Sequence, residues 1–312
     1  MKFAKKTLVM SAAIAAMSFG AVGNASADAF AQSILTINNF RLLHSNGSAF
    51  TTADFDRLDG TNSAHARASL NGVSATAVPQ DVPILSGMNP DVAHQFVGLP
   101  NPPRPENNFT PFPTPLPVPG TFGYADQNLS GSAIAIGANP AGATAQTRAD
   151  ASLQSNGSAS GDSDVGTSTS FDFSLAGSDT MTFAFDATPF TQAFTTAGTS
   201  TNAIARLSWS LNIINQTTGA LVFVFQPGQL NGSANASRTG SFAGLTTYNP
   251  GQLSFSAVSP LLNSTDNYQL TIQHNTLANA LQQNAVPEPA TLAIFGLGLL
   301  GMTAFKRRRT SK

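Results

Sequence analysis

The sequence predicts an all-β fold, an antiparallel β-sandwich, with a single transmembrane helix added at the C-terminal end. Two observations carry the β assignment. Apolar residues recur at every second position through many short stretches, the period of a half-buried strand. Gly-, Ser- and Asn-rich turns separate those stretches, and no strong amphipathic helical pattern interrupts them. A third observation carries the helix: an unbroken apolar run fills residues 290–305 and ends in a basic cluster.

Met1–Phe19 has the layout of a signal peptide. Lys2, Lys5 and Lys6 form a basic start, and Thr7–Phe19 is an apolar stretch too short to span a bilayer. Ala25 and Ala27 make an A-x-A site for signal peptidase, leaving Asp28 as the mature N-terminus. Two short apolar runs follow, Ile34–Ile37 and Phe40–Leu43, and Asn38-Asn39 between them reads as a turn or a bulge. Residues 100–119 hold nine prolines and cannot supply a hydrogen-bonded ladder. This segment reads as an extended loop inserted in one sandwich. Alternation returns at Phe171–Leu175 and Met181–Phe185. It is clearest at Ala203–Ile213, where Ala203, Ala205, Leu207, Trp209, Leu211 and Ile213 share a face. The turn-rich Asn215–Gly219 then leads to Ala220–Gln226, so these two strands form a hairpin with Leu221, Phe223 and Phe225 together. Leu253–Ala257 and Tyr268–His274 alternate in the same way, and Thr276–Gln283 reads as one short helix. Many short strands with polar turns favour a sandwich, with a jelly-roll-like order among the topologies left open. The organisation is therefore a leader over 1–27, an exported β-rich body over 28–285 and a tail over 286–312.

Charge narrows the partners. The 312-residue chain has a formal net charge of −1, which conceals an asymmetry. All five lysines, Lys2, Lys5, Lys6, Lys306 and Lys312, lie in the leader and the tail. The body carries seven arginines against fifteen acids, a balance of −8. A phosphate-binding face needs clustered positive charge, so no nucleic acid is expected as a partner. There is no cysteine, which removes thiol catalysis and thiolate metal sites and leaves the core alone to hold the body. A surface rich in Ser, Thr, Asn and Gln suits hydrogen bonding to sugars, and suits a generic extracellular β-protein equally.

No catalytic motif emerges from the body. His44, His65, His94 and His274 lack metal-ligand spacing, and no Ser sits in G-x-S-x-G. Glutamate occurs only at Glu106 and Glu288, so a facing pair of glycosidase carboxylates would have to come from aspartates. The body therefore reads as non-catalytic. Two acidic clusters are weak calcium candidates: Asp54, Asp56 and Asp59, then Asp162 and Asp164. The first begins like an EF-hand loop and fails at Leu58 and His65, and both read as solvated turns. No cofactor is expected, calcium being the single one left open. Asn-Gly-Ser-Ala recurs at 46–49, 156–159 and 231–234 and reads as turn chemistry, and Trp209 reads as a core residue.

The tail combines three parts. Val286-Pro287-Glu288-Pro289 is held extended by its prolines, a form that a protease cleft accepts. Ala290–Phe305 rises about 24 Å as a helix, short of a ~30 Å hydrocarbon core. Lys306, Arg307, Arg308 and Arg309 stop the span and hold its end on the cytoplasmic side. Motif, apolar run and basic stop together resemble the PEP-CTERM sorting signal of Gram-negative bacteria. The resemblance implies recognition of Pro287, Glu288 and Pro289 by an exosortase, and a role linked to exopolysaccharide and biofilm. It implies exosortase as a processing partner beside the signal peptidase expected from the leader, with exopolysaccharide or other matrix proteins as later ones. The body would stand in the periplasm, tethered to the inner membrane, before reaching the cell surface or the medium. The alternatives for the body are a secreted polysaccharide-acting hydrolase, a lectin-like carbohydrate-binding module, or a self-assembling protein that pairs through its strand edges.

Overall fold

The computed structural model describes residues 28–113, 118–165, 169–197 and 201–282. The leader with Ala25 and Ala27, and the tail from Val286 to Arg309 with its expected transmembrane helix, lie outside the described residues. Among the described residues no helix is long and apolar enough to cross a membrane.

The alternating pattern resolves into strands. In chain order they begin with β1 (Ala29–Leu43), β2 (Phe55–Leu70), β3 (Val73–Thr76), β4 (Gln80–Pro83) and β5 (Gln95–Pro100). Next come β6 (Gly120–Ser130), β7 (Ala143–Leu153), β8 (Gly157–Val165), β9 (Thr169–Leu175) and β10 (Thr182–Thr195). The series ends with β11 (Thr201–Asn215), β12 (Ala220–Phe225), β13 (Ala236–Thr239), β14 (Gly244–Tyr248), β15 (Leu253–Val258) and β16 (Tyr268–Gln282). Helical structure among the described residues is confined to single 3₁₀ turns such as Thr52–Asp54.

Two sheets form, and every strand pair in them is antiparallel. The first runs β10-β1-β7-β6-β5, with β14 and β15 sharing the outer side of β10. The second runs β11-β16, then β8 and β9 end to end, then β2. Its outer lanes are also split: β12 and β13 share β11, and β3 and β4 share β2. The sheets face each other, β10 and β1 lying over β11 and β16, and β7 and β6 over β8. Split lanes give edges only four to six residues long. Short edges deny a second chain a continuous row of backbone groups.

The space between the sheets is a wedge. At one end the facing residues are alanines: Ala29, Ala31, Ala149 and Ala151 from the first sheet, Ala203, Ala205, Ala278 and Ala280 from the second. Gly123 and Gly161 complete this narrow end. A Cβ on Gly161 would collide with the backbone oxygen of Tyr124 and lie 2.9 Å from the backbone of Asp150. At the other end the filling is large: Phe40, Phe171, Phe173, Phe183, Phe185, Leu207, Trp209 and Leu211. Each such side chain contributes about 1.5–3 kcal/mol on burial.

Several expectations are met and some are corrected. The hairpin β11–β12 forms, with Asn215 opposite Ala220. A bulge between Ile213 and Ile214 shifts its register, so Leu221 turns outward and is 60% exposed instead of joining Phe223 and Phe225. Asn38-Asn39 is a bulge inside one long strand, with Asn39 at φ 53°. The helix expected over Thr276–Gln283 is wrong, since β16 runs through to Gln282. Thr276, Ala278, Ala280 and Gln282 continue its buried face, and β11 and β8 pair with it on both sides. Two full ladders outweigh the modest helical preference of alanine.

The glycine at 161 is required by space rather than by conformation. Gly161→Ala is expected to destabilise the fold by about 1–3 kcal/mol, because backbone rather than a flexible side chain must yield. Gly177→Ala meets nothing within 4 Å and is the control, expected within about 0.5 kcal/mol of the parent. Denaturant midpoints of the two variants check this.

Candidate functional site

Three clusters gather polar chemistry in the body. The first lies on the outer face of the first sheet at its narrow end. Small inner residues there alternate with large or charged outer ones: Phe30 and Gln32 on β1, Phe122, Tyr124 and Asp126 on β6, Arg148 and Asp150 on β7, Gln192 and Phe194 on β10. All of these are buried. The cover is the proline-rich segment 101–113, which leaves β5 and returns to β6. Its prolines cannot join a ladder, and the sheet's side chains bind its remaining backbone groups instead. Asn107 N donates to Asp126 Oδ2 at 2.7 Å, and Phe112 N donates to Gln32 Oε1 at 3.0 Å. The carbonyls of Asn108 and Thr110 accept from one guanidinium nitrogen of Arg148 at 2.7 and 2.8 Å. Arg148 Nε donates to Asp150 Oδ2 at 2.7 Å, and Gln32 Nε2 donates to Asp150 Oδ1 at 2.7 Å. Phe112 packs edge-on against Phe30 and receives Arg104 over its ring at 3.8 Å.

Burial dominates the electrostatics of this layer. It pushes the Asp126 carboxyl up to about 6, against hydrogen bonds from Tyr124, Asn107 and Gln127 that favour the charged form. Burial, followed by the Asp126 charge, raises the Tyr124 hydroxyl well above its ordinary range. Every one of these groups is tied to the proline-rich strap or to its neighbours, so the layer works as a fastening.

The second cluster is a cavity of about 110 Å³ at the wide end of the wedge. Its walls are Phe40, Leu42, Leu58, Phe171, Trp209 and Ile272, among others, with His274 as its buried ring. Trp209 and His274 sit opposite each other on β11 and β16. Trp209 is held by an unusual device. Its backbone N donates to Asn231 Oδ1 at 3.1 Å, and its carbonyl accepts from Asn231 Nδ2 at 2.7 Å. The side chain of Asn231 thus fills the ladder gap between β13 and β12. His274 Nε2 lies 3.2 Å from the carbonyl of Leu35, which fixes that nitrogen as the donor. Nδ1 is buried with no hydrogen-bond partner. Burial holds the His274 pKa down, to about 4, so the ring is neutral and Nδ1 is an acceptor.

The third cluster is His44 between two carboxylates, Asp179 Oδ2 at 2.7 Å from Nδ1 and Asp54 Oδ2 at 3.2 Å from Nε2. The ring stacks on Phe50 at 3.8 Å. Asp54 Oδ2 also accepts from Thr51 N and Oγ1 at 2.7 and 2.8 Å. Burial pushes both carboxyls up, but hydrogen bonds from Thr51 and His44 at Asp54, and from His44 at Asp179, outweigh it and hold them below the usual range. The cluster ties the end of β1 to the approaches of β2 and β10.

The calcium candidates are not brought together. Asp54 caps a 3₁₀ turn, Asp56 and Asp59 lie on β2, and Asp162 and Asp164 lie on β8. The reading of these segments as solvated turns is therefore corrected. Asp162 and Asp164 share one face of β8, set roughly 7 Å apart by the strand rise, and Ser163 between them is fully buried on the other. Asp162 Oδ1 accepts from Asn275 Nδ2 at 3.0 Å, and Asp164 lies 3.7 Å from His65 Nδ1. Among the described residues no group of three or more His, Asp or Glu is placed to hold a metal ion.

Two outcomes test the fastening. Arg148 and Asp150 are both fully buried, so Arg148→Met is expected to cost about 3–5 kcal/mol, the penalty for an abandoned buried charge. Protease cleavage within 101–113 should rise with it. Asp126 favours its neutral form in the fold, so its stabilising contribution is complete below about pH 4 and is lost as pH rises through about 6. Asp126→Asn should therefore gain on the parent by about 2–3 kcal/mol between pH 4 and pH 7. A difference that stays flat across that window in urea titrations would refute the assignment.

Comparison with known proteins bears on the tail. The family model for the PEP-CTERM protein-sorting motif matches residues 285–309. No curated protein and no solved structure matches the chain. The match covers Val286, Pro287, Glu288 and Pro289, the apolar run and the basic stop, and begins three residues after β16 ends at Gln282. The chain thus carries a PEP-CTERM sorting motif over residues 285–309, which supports export and sorting by an exosortase.

Proposed function

We propose that this is a non-catalytic surface or extracellular-matrix protein, associated with exopolysaccharide and biofilm. Signal peptidase cuts after Ala27. Ala290–Phe305 then holds the chain in the inner membrane as a transient helix, with the body in the periplasm. Lys306, Arg307, Arg308 and Arg309 keep the tail oriented, and exosortase acts at Pro287, Glu288 and Pro289 to deliver the body to the cell surface or beyond. The reading includes no resident cofactor. The repeated crossings of the chain between the sheets, such as β1 to β2 and β7 to β8, support a jelly-roll-like wrap as its topological class.

The observation that carries the reading is the sorting match directly behind the last strand. The fold adds support. Seven residues separate Gln282 from Ala290, at most roughly 30 Å of extended chain. Gln282 pairs with Thr201 and Gly157, and Ala29 pairs with Leu153 and Thr195. Ala29 and Gln282, the strand ends nearest in sequence to the two processing sites, therefore both lie at the narrow end of the sandwich. The best-buried carboxylates, Asp126 and Asp150, have structural partners, which supports a non-catalytic body.

Replacing Pro287, Glu288 and Pro289 together by alanine should leave an uncut, membrane-bound form on a blot of cell fractions. Normal release of that variant would overturn the sorting assignment. Incubation of the chain with the host's own polymer should yield no new reducing ends, and their appearance would remove the non-catalytic half of the reading.

A further inference from the structure

We propose that Asn231 is a modification site. In the folded protein the backbone nitrogen of Gly232 attacks the Asn231 side-chain amide, ammonia leaves through a cyclic imide, and water opens the imide to aspartate or isoaspartate. The conversion releases the clamp on Trp209. It rests on the fold alone and is independent of the sorting reading.

Asn-Gly-Ser-Ala occurs at 46–49, 156–159 and 231–234, so the residues that follow each asparagine are the same. Their backbones differ. Asn231 stands at φ −142° and ψ −122°. In an L-residue Cβ lies about −120° from N round the Cα–C bond. This ψ therefore eclipses the bond to Gly232 N with the bond to Cβ. The nitrogen lies on the side that closure of a five-membered ring requires, and one torsion, about Cα–Cβ, separates it from Cγ. Gly232 is exposed and begins the 3₁₀ turn Gly232–Ala234, whose first N–H has no carbonyl inside the turn to bond. At Asn46 the corresponding nitrogen is engaged, since Gly47 N donates to the carbonyl of His44 at 2.9 Å. Asn46 Oδ1 in turn accepts from Ser48 N at 2.9 Å and Ser48 Oγ at 2.7 Å. Gly157, after Asn156, is held in the β8–β16 register opposite Gln282.

The electrophile is prepared as well. Asn231 Oδ1 accepts from Trp209 N at 3.1 Å and from Gln226 Nε2 at 3.4 Å. These donors polarise Cγ and meet the negative charge that Oδ1 gains as Gly232 N adds. The bond from Gly232 N to Cγ forms, the Cγ–Nδ2 bond breaks, and Nδ2 leaves as ammonia with the proton that Gly232 N gives up. Water reaches the half-buried Asn231 past exposed Gly232 and Ser233. It yields aspartate by breaking the new bond at Cγ, or isoaspartate by breaking the bond from Gly232 N to the Asn231 backbone carbonyl. Neither product holds the clamp. Asn231 Nδ2 donates to the carbonyls of Trp209 at 2.7 Å and Pro227 at 2.9 Å. A carboxylate oxygen in its place has no proton to give and faces two acceptors. The gap between β13 and β12 then opens beside Trp209, which packs against Phe40, Phe185 and Phe225. The age of the chain is thereby written into the packing of its wide end.

The repeated tetrapeptide supplies its own controls. The folded full chain is incubated in warm, mildly alkaline buffer, and peptide mass mapping with isoaspartate separation follows each asparagine. Asn231 should convert about tenfold faster than Asn46 and faster than Asn156, and the three rates should converge in urea. Equal rates at Asn231 and Asn46 in the folded chain would overturn the site. So would an Asn231 lead that persists in urea, which would assign the difference to sequence. Trp209 is the only tryptophan in the chain, and its emission should shift to the red with the time course of conversion. Asn231→Asp should show that shift from the start, and parental emission in this variant would overturn the loss of the clamp. Gly232→Ala adds a Cβ where nothing lies within 4 Å, so the fold should persist while the methyl group crowds the attacking nitrogen and slows conversion. An unchanged rate in Gly232→Ala would overturn Gly232 N as the nucleophile. Rates measured on the parent chain keep the test decisive even if Asn231→Asp fails to fold.

Discussion

The whole body depends on how closely its two sheets approach at one end. Gly161 and Gly123 leave no room for a Cβ, and the alanines around them let backbones meet. Close-packed interiors tolerate no such contact with larger residues. Twisted sheets that touch at one end diverge towards the other, and the divergence must be filled. Phe40, Phe185, Trp209 and their neighbours fill most of it. The remaining void is the cavity beside His274.

The narrow end has the opposite problem. Alanines between the sheets bury little apolar surface each, so this end needs another source of order. The outer face supplies it. Phe30, Phe112, Val118, Phe122, Tyr124 and Phe194 form a second small core under the proline-rich strap. Proline suits this role because its fixed φ lowers the entropy of holding an extended segment in place. The cost is backbone that no ladder satisfies. Gln32, Asp126, Arg148 and Asp150 meet that cost with side-chain hydrogen bonds, and the result is a buried polar layer that is stable only while it is complete.

The legible parts of the fold were those whose signal is local. Alternation at 203–213 and 268–274 set those strands, and the turn-rich loop at 215–219 set the hairpin of the first with 220–225. The strand over 276–282 was hidden because Ala278 and Ala280 are small and equally at home in a helix, and only the ladders of β8 and β11 decide it. The polar layer was hidden for a different reason. Arg148 and Asp150 alternate with Ala149 and Ala151 as an ordinary solvated face would, and nothing local reports that a distant loop covers them. The cavity was invisible, since an absence of atoms between sheets has no sequence signature. The sorting tail was fully legible, because its chemistry is contiguous and no fold is needed to assemble it.

Placement then links the tail to the body. Asp28 and Gln282 both adjoin the narrow end, so whatever holds the tail at a membrane holds this end towards it. The strap lies on the same half of the molecule, over the outer face of the first sheet. An unfastened proline-rich loop is an open protease substrate, and the side-chain hydrogen bonds of the outer face hold this one down.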